Sequence, residues 1–247
     1  MSTLRLPSVV GHRGAATHAP ENTLASLREA RRRGATWVEF DVKLSADGVA
    51  MLMHDDSLKR TTGLDRAAME TSWDDIARLD AGAWKDARFR GEPVPSFVDA
   101  ILCLREEGLG ANIEIKPCAG RETETADAAA AILRARWPAS LPAPLISSFK
   151  DAALVAMRGA APEYPRAILI DRIGPDWRSR AEAVEAIGVN TNGKHLDAAT
   201  AGAIKDAGYL LGVYTINDPV QAVSLRAMGV DCVITDSPDV ILEAIGR

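Results

Sequence analysis

Residues 208–238, GYLLGVYTINDPVQAVSLRAMGVDCVITDSP, contain one complete strand–helix–strand unit together with its punctuation. An apolar run at 210–216 reads as a strand, and Asp218-Pro219 then places an N-cap residue directly before a proline at the first helical position. Gly229 stops the helix, a second apolar run at 231–235 follows, and Ser237-Pro238 opens the next helix. The same order recurs toward the N-terminus. Strand-like runs at 8–12, 36–41, 111–116, 144–148, 166–170 and 189–192 bring the number of strands to eight. Ser96 and Asp197 serve as further helix caps, and Gly34, Gly108, Gly188 and Gly208 as further stops. Several strands are continuous rather than alternating in apolarity, which a parallel sheet covered on both faces requires. Eight such units predict an α/β fold, a closed (β/α)8 TIM barrel, in preference to an open doubly wound sheet.

Two stretches break the rhythm. Asp47-Gly48 is a two-residue turn signal, so 41–54 reads as a hairpin in which paired residues sum to 95 and Asp41 faces His54. Residues 57–95 contain no clear strand–helix unit and read as a small inserted lobe over the barrel mouth, with Trp73, Leu79, Trp84 and Phe89 as its mini-core. The chain is expected to be one barrel domain over 1–247 carrying that insertion.

Composition narrows the function classes. The 247 residues are 47% hydrophobic and 26% charged, which excludes disorder as the main reading. A net charge of −5 gives no general attraction to nucleic acid or to an anionic membrane. No apolar run approaches the roughly 18 residues of a membrane span, and no hydrophobic stretch opens the chain, so no stable membrane association is expected. Cys103, Cys118 and Cys232 are odd in number and widely spaced, which fits a reducing cytoplasmic address better than disulfides or zinc. A monomer and a homo-oligomer both stay open. The Arg28–Arg33 stretch, with its four arginines, reads as a solvated helix face.

Barrel active sites sit at the C-terminal ends of the strands. There the sequence places His12-Arg13-Gly14, then Glu39-Phe40-Asp41, the returning His54-Asp55, and Glu114-Ile115-Lys116; later strands add Phe149, Lys194, Tyr214, Asn217 and Asp236. Glu39 and Asp41 are two apart on one strand and point the same way. With Glu114 beside them, three carboxylates at one level need a bridging cation, and an all-oxygen donor set suits Mg²⁺ or Ca²⁺. A buried ion network with Arg13 and Lys116 is the structural alternative. Of four histidines in the chain, His12 and His54 fall at this cluster, where imidazole suits proton transfer near neutral pH. His18 and His195 lie in loops. Arg13 and Lys116 supply the positive charge that an anionic phosphoryl group needs.

These segments resemble the glycerophosphodiester phosphodiesterase family. Gly11-His12-Arg13-Gly14, the following Ala19-Pro20-Glu21-Asn22-Thr23, Glu39-Phe40-Asp41-Val42, His54-Asp55, Arg60-Thr61, Glu114-Ile115-Lys116-Pro117 and Ile234-Thr235-Asp236 carry the likeness across nearly the whole chain. Within the family the chain is most similar to the short cytosolic bacterial type linked to glycerol-3-phosphate uptake. The resemblance implies metal-dependent hydrolysis of a small glycerophosphodiester, such as glycerophosphocholine or glycerophosphoethanolamine, to sn-glycerol 3-phosphate and an alcohol. It implies Glu39, Asp41 and Glu114 as ligands of a divalent cation, His12 and His54 as the acid–base pair, and Arg13 and Lys116 as phosphate contacts. Phe149 and Tyr214 are expected to contact substrate, and Tyr214 stands where many relatives carry Trp. Between the histidines, His12 as base and His54 as acid is the favoured division. A phosphodiesterase directed at lysophospholipids or phosphoinositides, and a non-catalytic sensor of glycerophosphodiesters, are the alternatives.

Overall fold

The computed structural model describes residues 4–246. In chain order the first strands are β1 (Val9–Gly11), β2 (Trp37–Leu44), β3 (Ala50–Leu52) and β4 (Gly110–Ile115). They are followed by β5 (Leu145–Ser148), β6 (Arg166–Ile170), β7 (Gly188–Asn192), β8 (Leu210–Tyr214) and β9 (Cys232–Thr235). All except β3 run parallel, each beside the next, and β1 pairs with both β2 and β9. The sheet is therefore closed, an eight-stranded barrel rather than an open sheet, and all eight expected strands are present.

Ten α-helices accompany them: α1 (Leu24–Arg32), α2 (Lys59–Thr62), α3 (Trp73–Ile76), α4 (Phe97–Glu107), α5 (Glu122–Arg136), α6 (Asp151–Ala160), α7 (Trp177–Ala183), α8 (Ala198–Asp206), α9 (Pro219–Ala227) and α10 (Pro238–Ile245). Several helix starts follow from local chemistry. Ser96 and Asp99 form a reciprocal capping box on α4, Asp197 accepts from Thr200 N, and Asp218 accepts from Val220 N ahead of Pro219. Gly34, Gly108, Gly208 and Gly229 take the left-handed conformation at helix ends. Gly188 does not: it is the first residue of β7, and Glu185, at φ 50°, makes the left-handed turn after α7. Ser237 precedes α10 without a side-chain cap bond, its hydroxyl lying 2.8 Å from Thr17 Oγ1 instead.

Every residue of β2 is buried, and its two faces have different neighbours. Val38, Phe40 and Val42 pack outward against helical residues such as Leu27, Ala30 and Leu104, in the main core. Each such fully buried side chain contributes about 1.5–3 kcal/mol. Trp37, on the opposite parity, packs inside the barrel with Val10, Leu145, Ala167, Cys232 and Ile234. Glu39 and Asp41 share that inward parity and continue it toward the mouth. The three cysteines are buried and free. Among the described residues no helix is long and apolar enough to cross a membrane.

The hairpin differs from its expected register. Val42 pairs with Leu52, Lys43 with Met51 and Leu44 with Ala50, so paired residues sum to 94 rather than 95. Met53, not His54, faces Asp41, its N–H donating to Asp41 O at 3.1 Å. The reason is the connection, which spans 45–49 and is closed by Ser45 N bonding Val49 O, instead of turning on Asp47-Gly48 alone. His54 thus reaches the mouth from one residue beyond the pairing. In the 57–95 stretch, Trp73 and Leu79 pack against a small core of Met51, Met53, Leu58, Ile76 and Val94. Trp84 and Phe89 stand outside it: Trp84 is 41% exposed beneath Arg60 and Lys85, and Phe89 lies under Arg88. Of the four arginines at 28–33, Arg31 and Arg32 are exposed as expected, while Arg28 and Arg33 are half-buried, Arg28 beside Glu106 and Glu107 and Arg33 bonded to Glu29 and Asp239.

Candidate active site

The turn after β1 sets the first side of the mouth. A Cβ on Gly11 would lie 2.2 Å from Gly14 O, and one on Gly14 (φ +90°) would lie 2.5 Å from the backbone carbon of Ser26. Glycine at both positions lets the turn press against the start of α1. Arg13 between them sits at φ 49°, a conformation that arginine rarely takes without support. Its N–H donates to Glu39 Oε2 at 3.1 Å, and its carbonyl accepts from Ser26 Oγ and Asn22 N. Asn22, itself at φ 55°, brackets Asp41: its Nδ2 donates to Asp41 Oδ2 at 2.8 Å while its Oδ1 accepts from Asp41 N at 3.1 Å.

Glu39, Asp41 and Glu114 are all buried, and one carboxylate oxygen from each lies within 4.8 Å of the others. Pairing of β2 with β4 sets Asp41 beside Glu114 and makes this juxtaposition a matter of register. Burial and the Asp41 charge push Glu39 up to about 7, and burial with the same neighbour pushes Glu114 up to about 8. Asp41 goes the other way: burial opposes ionisation, but Lys116, Arg13 and the Asn22 bond hold it well below the usual carboxylate range. Lys116 Nζ donates to Glu114 Oε1 at 2.8 Å and stands 3.5 Å from Asp41 Oδ1; Arg13 Nε stands 3.4 Å from Asp41 Oδ2. These cations do not offset the burial of Glu39 and Glu114, which both stay above the usual carboxylate range. A cluster of hard oxygen donors left short of positive charge fits a divalent cation.

Two histidines flank the triad with the same local geometry. His12 Nδ1 lies 2.6 Å from Asp236 Oδ1, and His54 Nδ1 lies 2.6 Å from Asp55 Oδ1. An ionised carboxylate can only accept, so in each case Nδ1 carries the hydrogen and Nε2 is the atom left for proton exchange. His12 Nε2 is 3.9 Å from Glu39 Oε2. The proton affinities diverge. Burial disfavours a charged His12, but the Asp236 bond and the Glu39 charge outweigh it and raise the pKa above its ordinary value. Burial, with Arg13 and Lys116 nearby, lowers that of His54 despite Asp41. His12 therefore holds a proton more tightly than His54, because Asp236 and Glu39 gather beside His12 in the folded barrel.

A cavity of about 250 Å³ lies among His12, Arg13, Glu39, His54, Glu114 and Lys116, with Phe149 and Tyr214 on its wall. Eight of the nine expected site residues line this cavity; the ninth, Asp41, is fully buried and reaches it through Arg13 and Lys116. Phe149 and Tyr214 contact edge to face at 5.8 Å, and Lys116 Nζ lies 5.5 Å from the Phe149 ring centre. Two further openings flank this cavity, one of about 370 Å³ beside His54 and Lys150 and one of about 320 Å³ between His12, Arg13, Trp84 and Lys85. His18 is engaged elsewhere, 3.1 Å from Asp239 of α10.

The structure adds residues to which the sequence assigned no role. Asp236 is held by Asn217, whose Nδ2 donates to its Oδ2 and whose Oδ1 accepts from its N–H. Behind His54, Asp55 accepts from Arg60 Nε at 2.6 Å, and Arg60 donates twice to Glu21, which also accepts from Arg13. The signals were present in the Thr235-Asp236 strand end and the Glu21-Asn22 pair, but their partners lie between 8 and 224 residues away in sequence.

A (β/α)8 barrel with an acidic triad, carboxylate-backed histidines and two cations at its C-terminal mouth is equipped as a phosphoryl-transfer enzyme. Residues 12–240 match the glycerophosphoryl diester phosphodiesterase family. The chain belongs to that family and is an enzyme of its kind. YhdW of Bacillus subtilis is 30% identical over 241 residues, spanning 95% of this chain and 96% of that one. A glycerophosphodiester phosphodiesterase of Caldanaerobacter subterraneus is 26% identical over 244 residues, spanning 97% and 98%. A phosphodiesterase of Oleispira antarctica, solved with the product sn-glycerol 3-phosphate, superposes with a TM-score of 0.95 at 40% identity, over 98% of both chains.

Proposed function

We propose that this protein hydrolyses small glycerophosphodiesters to sn-glycerol 3-phosphate and an alcohol. The observation that carries the reading is a cavity lined by both histidines, Arg13, Lys116, Glu39 and Glu114, with Asp41 clustered behind the two glutamates. The product in the Oleispira antarctica relative supports the substrate class.

Glu39, Asp41 and Glu114 would hold the cation, Mg²⁺ or Ca²⁺, which when bound supplies positive charge to the phosphoryl oxygens. Arg13 and Lys116 bring further charge to the non-bridging oxygens, where it builds up in the transition state. One histidine takes the proton of the attacking oxygen at Nε2, whether water or the substrate's own 2-hydroxyl. The other gives its Nε2 proton to the departing alcohol oxygen as the P–O bond breaks. Asp236 and Asp55 fix both tautomers for these roles. Phe149 and Tyr214 wall the substrate, residues 57–95 form a lobe at the rim of a single barrel, and three buried free thiols support a cytoplasmic address.

The test offers glycerophosphocholine, glycerophosphoethanolamine and lysophosphatidylcholine to cation-supplied protein and measures the freed choline or ethanolamine with the phosphomonoester left behind, sn-glycerol 3-phosphate from the first two and lysophosphatidate from the third. Turnover of the first two is expected. Turnover of the lysolipid alone would move the reading to lipid substrates, and binding without a single turnover would make the protein a sensor.

A further inference from the structure

Among the described residues Lys43 is the one lysine that the fold buries completely, and the chemistry above leaves it unused. It shares the parity of Glu39 and Asp41 on β2, one step past them and opposite Met51 of β3. Its Nζ donates to Asp56 Oδ1 at 2.6 Å and to Cys118 Sγ, just after β4, at 3.7 Å. The Asp56 side chain is 69% exposed, so the pair fastens a surface residue to a buried cation. Burying an ammonium is costly, and one bond to a solvated carboxylate adds little stability in return. The pair is better accounted for by the piece of chain it holds. That piece is the corner bearing His54. Pairing of the hairpin ends with Met53 N on Asp41 O, and His54 and Asp55 lie past it. Beyond them, Asp56 accepts from Ala68 N at its carbonyl and from Lys43 at its carboxylate. Both ends of the His54-Asp55 span are therefore fastened to β2, the strand that carries two acids of the triad.

We propose that Lys43 is a positioning residue for His54: its buried ammonium holds Asp56 and so sets where the imidazole Nε2 stands relative to the triad. The assignment rests on the phosphodiesterase reading, in which His54 moves a proton. Lys43 lines none of the three openings at the mouth, so it acts through the corner and not on the substrate. The bond from Asp55 to Arg60 holds the same corner from its outer side, against Glu21. Lys43 supplies the inner hold. A reacting group displaced by about 1 Å can lose about 10²-fold in rate. With the Arg60 hold intact, losing Lys43 is expected to cost less than that.

The test places Lys43→Met in wild type, in His12→Ala and in His54→Ala, and measures kcat and KM for glycerophosphocholine with cation-supplied protein. In wild type kcat is expected to fall about tenfold with KM little changed. The same loss of about tenfold is expected on top of His12→Ala, and none on top of His54→Ala, where no imidazole is left to place. A general loosening of the barrel would instead lower all three alike. Asp56→Ala alters a mostly exposed side chain, so it reads the same contact should Lys43→Met fail to fold, and its kcat is expected to fall about as far, again only where His54 is present. Asp56→Asn, which keeps an oxygen for the Lys43 Nζ, is expected to recover most of that loss. A loss that persists in the His54→Ala background, or no loss in either folded variant, overturns the assignment. Wild-type turnover unmoved by His54→Ala overturns it as well and leaves the phosphodiesterase reading standing. No turnover by wild type overturns that reading, and this proposal with it.

Discussion

The two histidine arms of the mouth share one geometry and rest on different supports. His12 stands at the end of a barrel strand, and its partner Asp236 follows the neighbouring strand β9, clamped by Asn217. His54 follows the hairpin, and its partner Asp55 is held by Arg60, which is held in turn by Glu21. The first arm is more enclosed, with 17% of its imidazole exposed against 29% in the second. The same 2.6 Å contact to a carboxylate therefore yields opposite proton affinities, raised for His12 and lowered for His54. Which charges surround the pair decides the sign: Glu39 beside His12, Arg13 and Lys116 beside His54. One motif, set in two environments, gives two imidazoles with opposite shifts in proton affinity.

The sharpest way to break this comparison is to remove each ring. His12→Ala and His54→Ala are each expected to lower kcat by about 10²–10⁴-fold, the usual loss for a general acid or base. The pH profile of kcat/KM separates them. A base must be neutral and an acid protonated, so a lowered His54 gives the acidic limb and a raised His12 the alkaline limb. His54→Ala should flatten the acidic limb and His12→Ala the alkaline one; the opposite pattern would restore His12 as base.

Smaller effects test the supports. Asp236→Asn should cost about 10²-fold in kcat with KM little changed, because the amide no longer selects the Nδ1–H tautomer of His12. Asp55→Asn should cost less, about tenfold, since the more exposed arm reorients through solvent. Equal losses would mean that the two arms are fixed alike. Smallest in turnover is Glu21→Gln, which weakens the hold on both Arg13 and Arg60. A stability loss of about 1–3 kcal/mol in urea unfolding is expected, with KM rising more than kcat falls.

The barrel was legible because its signals are local: apolar strands, Asp218-Pro219, Ser96 and Asp197 caps, and four of the five helix-end glycines mean the same thing wherever the chain goes. The nine site residues were legible because strand ends and parity project them to one mouth. Gly188 misled because a glycine before a strand looks like one after a helix, and Glu185 had taken the turn. The hairpin slipped by one because Ser45 closes a wider loop than Asp47-Gly48 suggests. Asp236, Asn217 and Glu21 acquire partners only when the barrel closes.

Whether the acidic triad, supplied with a cation, drives hydrolysis at this mouth is decided by stripping the protein with a chelator and following sn-glycerol 3-phosphate release from glycerophosphocholine as Mg²⁺ or Ca²⁺ is restored, in wild type and in Glu39→Gln. No release is expected after stripping, with recovery on at least one cation and a weakened or lost response in Glu39→Gln. Full release from stripped protein, or an unchanged cation response in the variant, would contradict that expectation.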